Sequence, residues 1–399
     1  MAEGPDIAIT SGAFWGRNPH AELAWLRAND PVHWDEAGGI WGVATYADVR
    51  AVSKQPEAFS NAGGIRPDAP PIPMMIDMDD PDHLRRRKLV NSGFTPQRVR
   101  DQEPRIIQVV DGLIDQVCER GECDFVREFA AWLPLVMIGD ALGVEAADHP
   151  ELLRWSDDLM RGQGQTDDAL VLSMINAFEG YTTYIGGVID DRRRCPRDDL
   201  MSILVHAEVD GDKLGHDELI HESLLLLIGG DETTRHVITG GMYQMLASGE
   251  QWDKLRADRS LVVSAVEESL RWVSPIKNMA RTATRDVQLH GKAIEQGQKL
   301  LLLYPSANRD EAQFDDPMTF DVTRAPNDHV AFGFGPHFCL GAALARLELR
   351  VAFDRLIERL PDIHLVDETE PAFRPASFVS GYESMPVAFS ATAPKPAGH

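Results

Sequence analysis

Residues 216 to 248 read as one long helix whose middle, Leu224-Leu225-Leu226-Leu227-Ile228, is apolar on every side. A helix without a polar face needs protein or lipid around its whole circumference, and Glu222 and Asp231 argue against lipid. The rest of the chain must therefore be built around this segment. Then the pattern breaks. Gly229-Gly230 costs roughly 1 kcal/mol per glycine within a helix, and Asp231-Glu232-Thr233-Thr234 brings carboxylates and hydroxyls into a stretch that should be buried. Such groups need partners or a task. One reading is a kinked helix whose threonines bond to carbonyls one turn earlier; the other is a site.

The second constraint lies near the C-terminus, in Phe332-Gly333-Phe334-Gly335-Pro336-His337-Phe338-Cys339-Leu340-Gly341, which runs into the helix-like Ala342-Ala343-Leu344-Ala345-Arg346-Leu347-Glu348-Leu349. Glycines allow positive φ and close backbone approach, and aromatics wall off water. Cys339 falls at a predicted helix N-terminus, where outward N–H groups and the dipole favour a thiolate. A buried free cysteine in a glycine-rich turn is the plainer alternative.

Together these stretches resemble the cytochrome P-450 family of haem-thiolate monooxygenases. The resemblance implies that Cys339 is the proximal iron ligand, in a loop where Phe332, Gly333 and Gly341 help to cradle the haem. It also implies that Gly229, Gly230, Asp231, Glu232 and Thr233 form the oxygen-activation motif: Thr233 as the hydrogen-bonding hydroxyl, Glu232 as the proton relay, Asp231 at the variable position. His83 and Arg87, spaced i and i+4 on a predicted helix, would share one anion; in the family this pair binds a haem propionate, and Arg281 and His337 match two further propionate contacts. Glu268, Arg271 and Arg324 match the structural ion network behind the cysteine loop. For Arg85, Arg86 and Lys88 a solvated face is expected, with a second use as part of the patch that docks an electron donor.

The implied fold is mainly α with small β-sheets, a triangular prism with the haem b between the long central helix and the cysteine-loop helix. Residues 1–399 are expected to form a single catalytic domain without a fused reductase, residues 1–75 being its mixed α/β part. Locally, the pattern predicts a helix around Glu22 to Asn29, strands at Val32-His33-Trp34 and Ile40-Trp41-Gly42-Val43, and further strands at 287–291 and 300–303. Trp155, Met160 and Leu172 flank Gly162-Gln163-Gly164, where the family places its substrate lid.

Composition matters for partners. With 39 Lys+Arg against 63 Asp+Glu the net charge is −24, which excludes wholesale nucleic-acid binding. Cys118, Cys123, Cys195 and Cys339 show neither zinc spacing nor disulfide density, and no segment approaches a membrane span. The expectation is a cytoplasmic enzyme that takes electrons from NAD(P)H through an external ferredoxin-type donor and its reductase.

Ser60 to Pro67, Met74 to Pro81 and Gly229 to His236 look like the actinobacterial branch that oxidises the side chain of cholesterol and cholest-4-en-3-one. The implied substrate lining is Ile65, Met74, Met75, Ile76, Leu226, Gly230, Val273, Ile276, Phe378 and Val379, and the implied reaction is hydroxylation of the terminal methyl, extending to the carboxylic acid. Fatty acid, terpene and polyketide substrates are the alternatives within the family. A non-catalytic haem-thiolate sensor or binding protein would keep Cys339 but would have no need of Glu232 and Thr233.

Overall fold

In the structure, a computed structural model that describes residues 5–67, 69–162, 167–367 and 369–395, the central helix runs uninterrupted over His216–Ser248. At 1.5 Å per residue it is about 50 Å long. Its two halves serve different cores. Leu219, Leu224, Leu226 and Leu227 pack with Leu135, Leu142, Trp155 and Tyr181, whereas Val237, Ile238, Met242 and Met245 pack with Phe129, Leu270, Phe353 and Leu356. Successive turns are covered by different helices, which is how a helix with no polar face stays in water.

One glycine pair sets a close crossing. A Cβ on Gly240 would meet Val273 Cγ2 at 2.7 Å and one on Gly241 would meet Ser269 Oγ at 2.6 Å. The helix Val262–Val273, which carries Glu268 and Arg271, lies against the central helix through that gap. The helix Ala342–Arg359, which follows the cysteine loop, packs on both.

The helix expected around Glu22 to Asn29 is His20–Asn29, preceded by the single turn Gly12–Trp15, and Val32–Asp35 pairs antiparallel with Ile40–Val43. These strands join a five-stranded sheet in the order Val32–Asp35, Ile40–Val43, Lys299–Leu303, Asn278–Ala283, Phe59–Ser60. Only the contact of Ile40–Val43 with Lys299–Leu303 is parallel. The strand expected over 287–291 stops at Leu289: His290 and Gly291 both have positive φ and turn the chain into Lys292–Ile294, the geometry of a two-residue hairpin. Helices His149–Arg161 and Asp168–Arg194 flank the expected lid connection, whose Gln163 and Gly164 lie outside the described residues.

Candidate active site

Between the central helix and the helix Ala342–Arg359 lies a cavity of about 1410 Å³, counting its open mouth. Cys339 is on its floor. The chain reaches that point through Gly335, at φ +76, where a Cβ would meet the Ser53 carbonyl oxygen at 2.3 Å. The Cys339 amide donates to Phe332 O at 2.9 Å, closing the loop on itself. Burial pushes the Cys339 thiol up, while the Gly341 and Ala342 amides and the charges of Arg87 and Arg346 act against it. Those amides are the unsatisfied donors that a helix start offers. Around the sulfur, Arg346 stacks on Phe332 with Cζ 4.6 Å from the ring centre and is held by Glu267 through Nε at 2.7 Å and Nη2 at 2.9 Å.

His83, Arg87, Arg281 and His337 converge on the same cavity. The His83 and His337 rings lie 4.0 Å apart. His83 Nδ1 is 3.1 Å from Asp80 Oδ1 and its buried Nε2 has no partner. Arg87 Nη2 donates to Phe338 O at 2.6 Å. Arg281, 4% exposed, donates to Ala280 O at 2.8 Å and makes no ion pair among the described residues. Burial, then His83, Arg281 and Arg87 in turn, push His337 down to about 2. Among the described residues only the Asp80 carboxylate is paired to any of these four basic groups. That fits a large apolar ligand carrying two carboxylates, the form of the haem that the resemblance implies.

On the central helix, Gly229, Gly230, Thr233 and Thr234 face the cavity. A Cβ on Gly229 would meet nothing within 4 Å, so the glycine leaves open space and is not demanded by packing. Thr233 Oγ1 donates to Gly229 O at 2.7 Å, the back-bond expected of a helical threonine. Glu232 is fully buried but outside the cavity wall. Its carboxylate is held by Arg235 and by Arg374 Nη1 at 3.2 Å, with His236 Nε2 3.1 Å away. Asp231, also fully buried, accepts from Ser156 Oγ at 2.6 Å, and its Oδ1 has no partner.

Of the residues implied as substrate lining, Met75, Ile76, Leu226, Gly230 and Ile276 are on the wall. Ile65, Met74, Val273, Phe378 and Val379 are not. Met74 is buried in the core beside the wall, Val273 is spent on the Gly240 crossing, and Val379 bridges to Ile276 from behind. Thr234, the last residue of the Gly229–Thr234 motif, is on the wall, and Phe94, Ile138, Leu225, Met279 and Glu348 line the cavity without having been given a site role. Phe94, Ile138 and Met279 come from three separate segments that only the tertiary fold brings together, so no local pattern marks them.

Arg85 and Arg86 do not form a solvated face. Arg86 is buried and donates to Glu222 Oε1 at 2.9 Å and Pro73 O at 2.6 Å, while Glu222 also takes the Met75 amide at 2.8 Å. Arg85 is bound by Asp212 and by Glu218 Oε1, the latter at 2.8 Å. These acids on and before the central helix recruit the cations, tying the loop around Met75 down over the cavity. Lys88 alone of the three is exposed. On the cysteine's far side, Glu268, Arg271 and Arg324 come together, with Arg271 Nη2 at 2.7 Å and Arg324 Nε at 3.1 Å from the Glu268 carboxylate.

The family model described as Cytochrome P-450 matches residues 177–379. A protein of Mycobacterium tuberculosis named steroid C26-monooxygenase is 52% identical over 398 residues, covering 99% of this chain and all of its own. The vitamin D(3) 25-hydroxylase of Pseudonocardia autotrophica is 38% identical, covering 95% of each chain. Among solved structures, a cytochrome P-450 of Chondromyces apiculatus superposes with a TM-score of 0.89 at 34% identity, over 97% of this chain and 99% of its own. One of Bacillus megaterium in complex with corticosterone gives 0.87 at 33% identity, over 94% and 99%.

Proposed function

The chain belongs to the cytochrome P-450 family and is a haem-thiolate monooxygenase, and from that premise we propose that it hydroxylates the terminal methyl of a sterol side chain, with cholest-4-en-3-one as the representative substrate. The support is the full-length relative whose name is steroid C26-monooxygenase, joined to a cavity wall that offers Met75, Ile76, Ile138, Leu225, Leu226 and Ile276 above the cysteine loop. Burying an alkyl tail against such a wall is worth roughly 0.8 kcal/mol per CH₂. Apolar contact cannot select one carbon by hydrogen bonding. Selection falls to shape: the branched tail enters first and the polar 3-oxygen stays at the mouth.

When bound, the haem supplies activation of O₂ and insertion of one oxygen atom into an unactivated C–H bond, at the expense of two electrons and two protons. Cys339 would hold the iron, its sulfur facing the Gly341 and Ala342 amides. His83, Arg87, Arg281 and His337 would bind the two propionates, which would supply Arg87 and Arg281 with a countercharge. Thr233 holds its hydroxyl at the cavity, where it donates to Gly229 O; after a rotation about χ1 it would present that proton to the cavity instead. Glu232, on turning away from Arg235 and Arg374, would take up a proton from solvent and pass it to Thr233. The electrons would come from NAD(P)H through a ferredoxin-type protein and its reductase. The four free cysteines suit a cytoplasmic setting, and no helix among the described residues is long and apolar enough to cross a membrane.

Two measurements test this reading. Cys339→His should abolish the red-shifted Soret band of the reduced carbon monoxide complex; survival of that band would remove Cys339 from the iron. Cholest-4-en-3-one should convert the ferric protein from low to high spin at micromolar concentration and yield a terminally hydroxylated product on turnover. A tight shift with a fatty acid and none with any sterol would overturn the substrate while leaving the monooxygenase standing.

A further inference from the structure

A second cavity, about 550 Å³ counting its mouth, opens on another face of the central helix, along His236, Gly240 and Gln244. Its wall also carries His20, Lys277 and Arg309, against one carboxylate among the described residues, Glu370, which is exposed at the rim and takes the Tyr382 hydroxyl at 2.7 Å. Arg309 is 1% exposed and has no hydrogen-bond acceptor among the described residues; its Nε and Nη1 are sealed off without partners. The face of Trp272 lies 4.4 Å from its Cζ, which softens the charge but does not neutralise it.

The acids nearby are committed elsewhere. Glu268 is taken by Arg271 and Arg324, and Glu311 by Arg27. Lys277, 5% exposed, has as hydrogen-bond acceptors among the described residues only the Val273 and Ser274 carbonyls, at 3.3 and 3.2 Å. Burial and then Arg309 bring it down to about 7. His20 Nδ1 is buried without a partner, and so is His236 Nδ1; His236 Nε2 lies near Glu232 but out of line for a hydrogen bond. Proteins pair buried cations or put them to use, because an uncompensated one is costly. Among the described residues the compensation is missing here, and an opening leads to the two cations.

We propose that this second cavity binds one small inorganic anion, of phosphate size or less, between Lys277 and Arg309. The site is separate from the haem cavity and independent of the sterol reading. Its occupant would steady the turn at Ile276-Lys277, whose Ile276 lines the haem cavity, and would sit one imidazole, His236, away from Glu232.

The test uses the haem-loaded enzyme in sodium gluconate at fixed ionic strength, gluconate being too bulky to stand in. Chloride is titrated while the ³⁵Cl line width and the melting temperature are followed, and phosphate is then added as competitor. The expected result is a saturable response with one site per chain at millimolar concentration or below, displaced by phosphate. Lys277→Met should bind at least tenfold more weakly with haem content retained, and Arg17→Gln, an exposed arginine outside the wall, should bind as wild type. A response that never saturates, that phosphate does not displace, or that is equal in wild type and Lys277→Met overturns the proposal. Should Lys277→Met fail to fold, saturation and displacement in the wild type alone decide the question.

Discussion

Glu268 and Glu232 invite comparison because local sequence makes them twins. Each is fully buried, on a helix that flanks the haem cavity, with an arginine three residues on. Their surroundings differ. Glu268 accepts from Arg271 Nε and Nη2, Arg324 Nε, Asn327 Nδ2 and the Asp321 amide, all between 2.7 and 3.1 Å. Arg271 gives its remaining hydrogens to the carbonyls of Asn308, Pro317 and Thr319. In this group only Asn327 Oδ1 lacks a partner among the described residues, whereas around Glu232 Arg235 Nε, both His236 nitrogens and Asp231 Oδ1 lack one. A saturated buried network fixes one geometry; an unsaturated one leaves donors and acceptors between which a proton can move.

The harshest way to break the comparison is to remove each glutamate. Glu268→Ala leaves the buried Arg271 and the partly buried Arg324 without their acid, and truncating one partner of a buried pair costs about 3–5 kcal/mol. Against a typical stability of about 5–15 kcal/mol that loss is severe. The variant is expected to unfold at much lower denaturant and to retain little haem. Wild-type haem content in Glu268→Ala would mean that the saturated network is not what holds the cysteine side.

Glu232→Gln keeps the shape and should leave haem and sterol binding nearly unchanged while slowing turnover on the order of 100-fold, the lower end of the usual range for a lost proton donor. Thr233→Ala should instead divert electrons to hydrogen peroxide, because the hydroxyl that directs the proton is gone. Product formed per NAD(P)H, read beside peroxide, separates the two. Wild-type yield and rate in both variants would make the unsaturated network merely structural.

That distinction was not legible in the sequence. Period and punctuation gave the central helix to its ends, the first hairpin and the cysteine loop, because those depend on neighbours in the chain. The two Glu-x-x-Arg spacings are identical, and their difference comes from Arg374, 142 positions from Glu232, and from Asn327 and Arg324 beside Glu268. Arg86 failed as a surface cation for the same reason: its acid, Glu222, is 136 residues away. Apolar residues near the site were legible as buried but not as facing the cavity, since Val273 and Met74 are as apolar as Ile276 and Met75.

The third contrast concerns protons held in place. Asp231 and Glu348 are buried carboxyls whose pKa values are raised, in each case first by burial; the Arg235 charge and the Ser156 hydroxyl oppose this at Asp231, whereas Asp231 adds to it at Glu348. A carboxyl with a raised native pKa binds its proton more tightly folded than unfolded. Its contribution is whole below the ordinary carboxylate range and is lost as pH rises through the raised value. Glu348→Gln abolishes that loss. The variant should match wild type near pH 4 and exceed it by on the order of 1 kcal/mol at pH 8, measured by urea unfolding of the haem-loaded protein at each pH. A constant difference across that range would place the titration elsewhere.

The smallest effect sharpens the comparison from the other side. Arg154 is bound as fully as Arg271 appears to a simple count of ion pairs, with Glu151 at 2.5 Å and Asp158 at 3.2 Å. Yet its side chain is 51% exposed, against none of Arg271. In water the Coulomb gain is small, ordering the long side chain offsets part of it, and salt screens the rest. Arg154→Ala is therefore expected to cost about 0.5 kcal/mol or less, and still less in 1 M salt, with haem content and spin shift untouched. A loss approaching that of Glu268→Ala would show that the number of partners decides the strength of these networks and that burial does not.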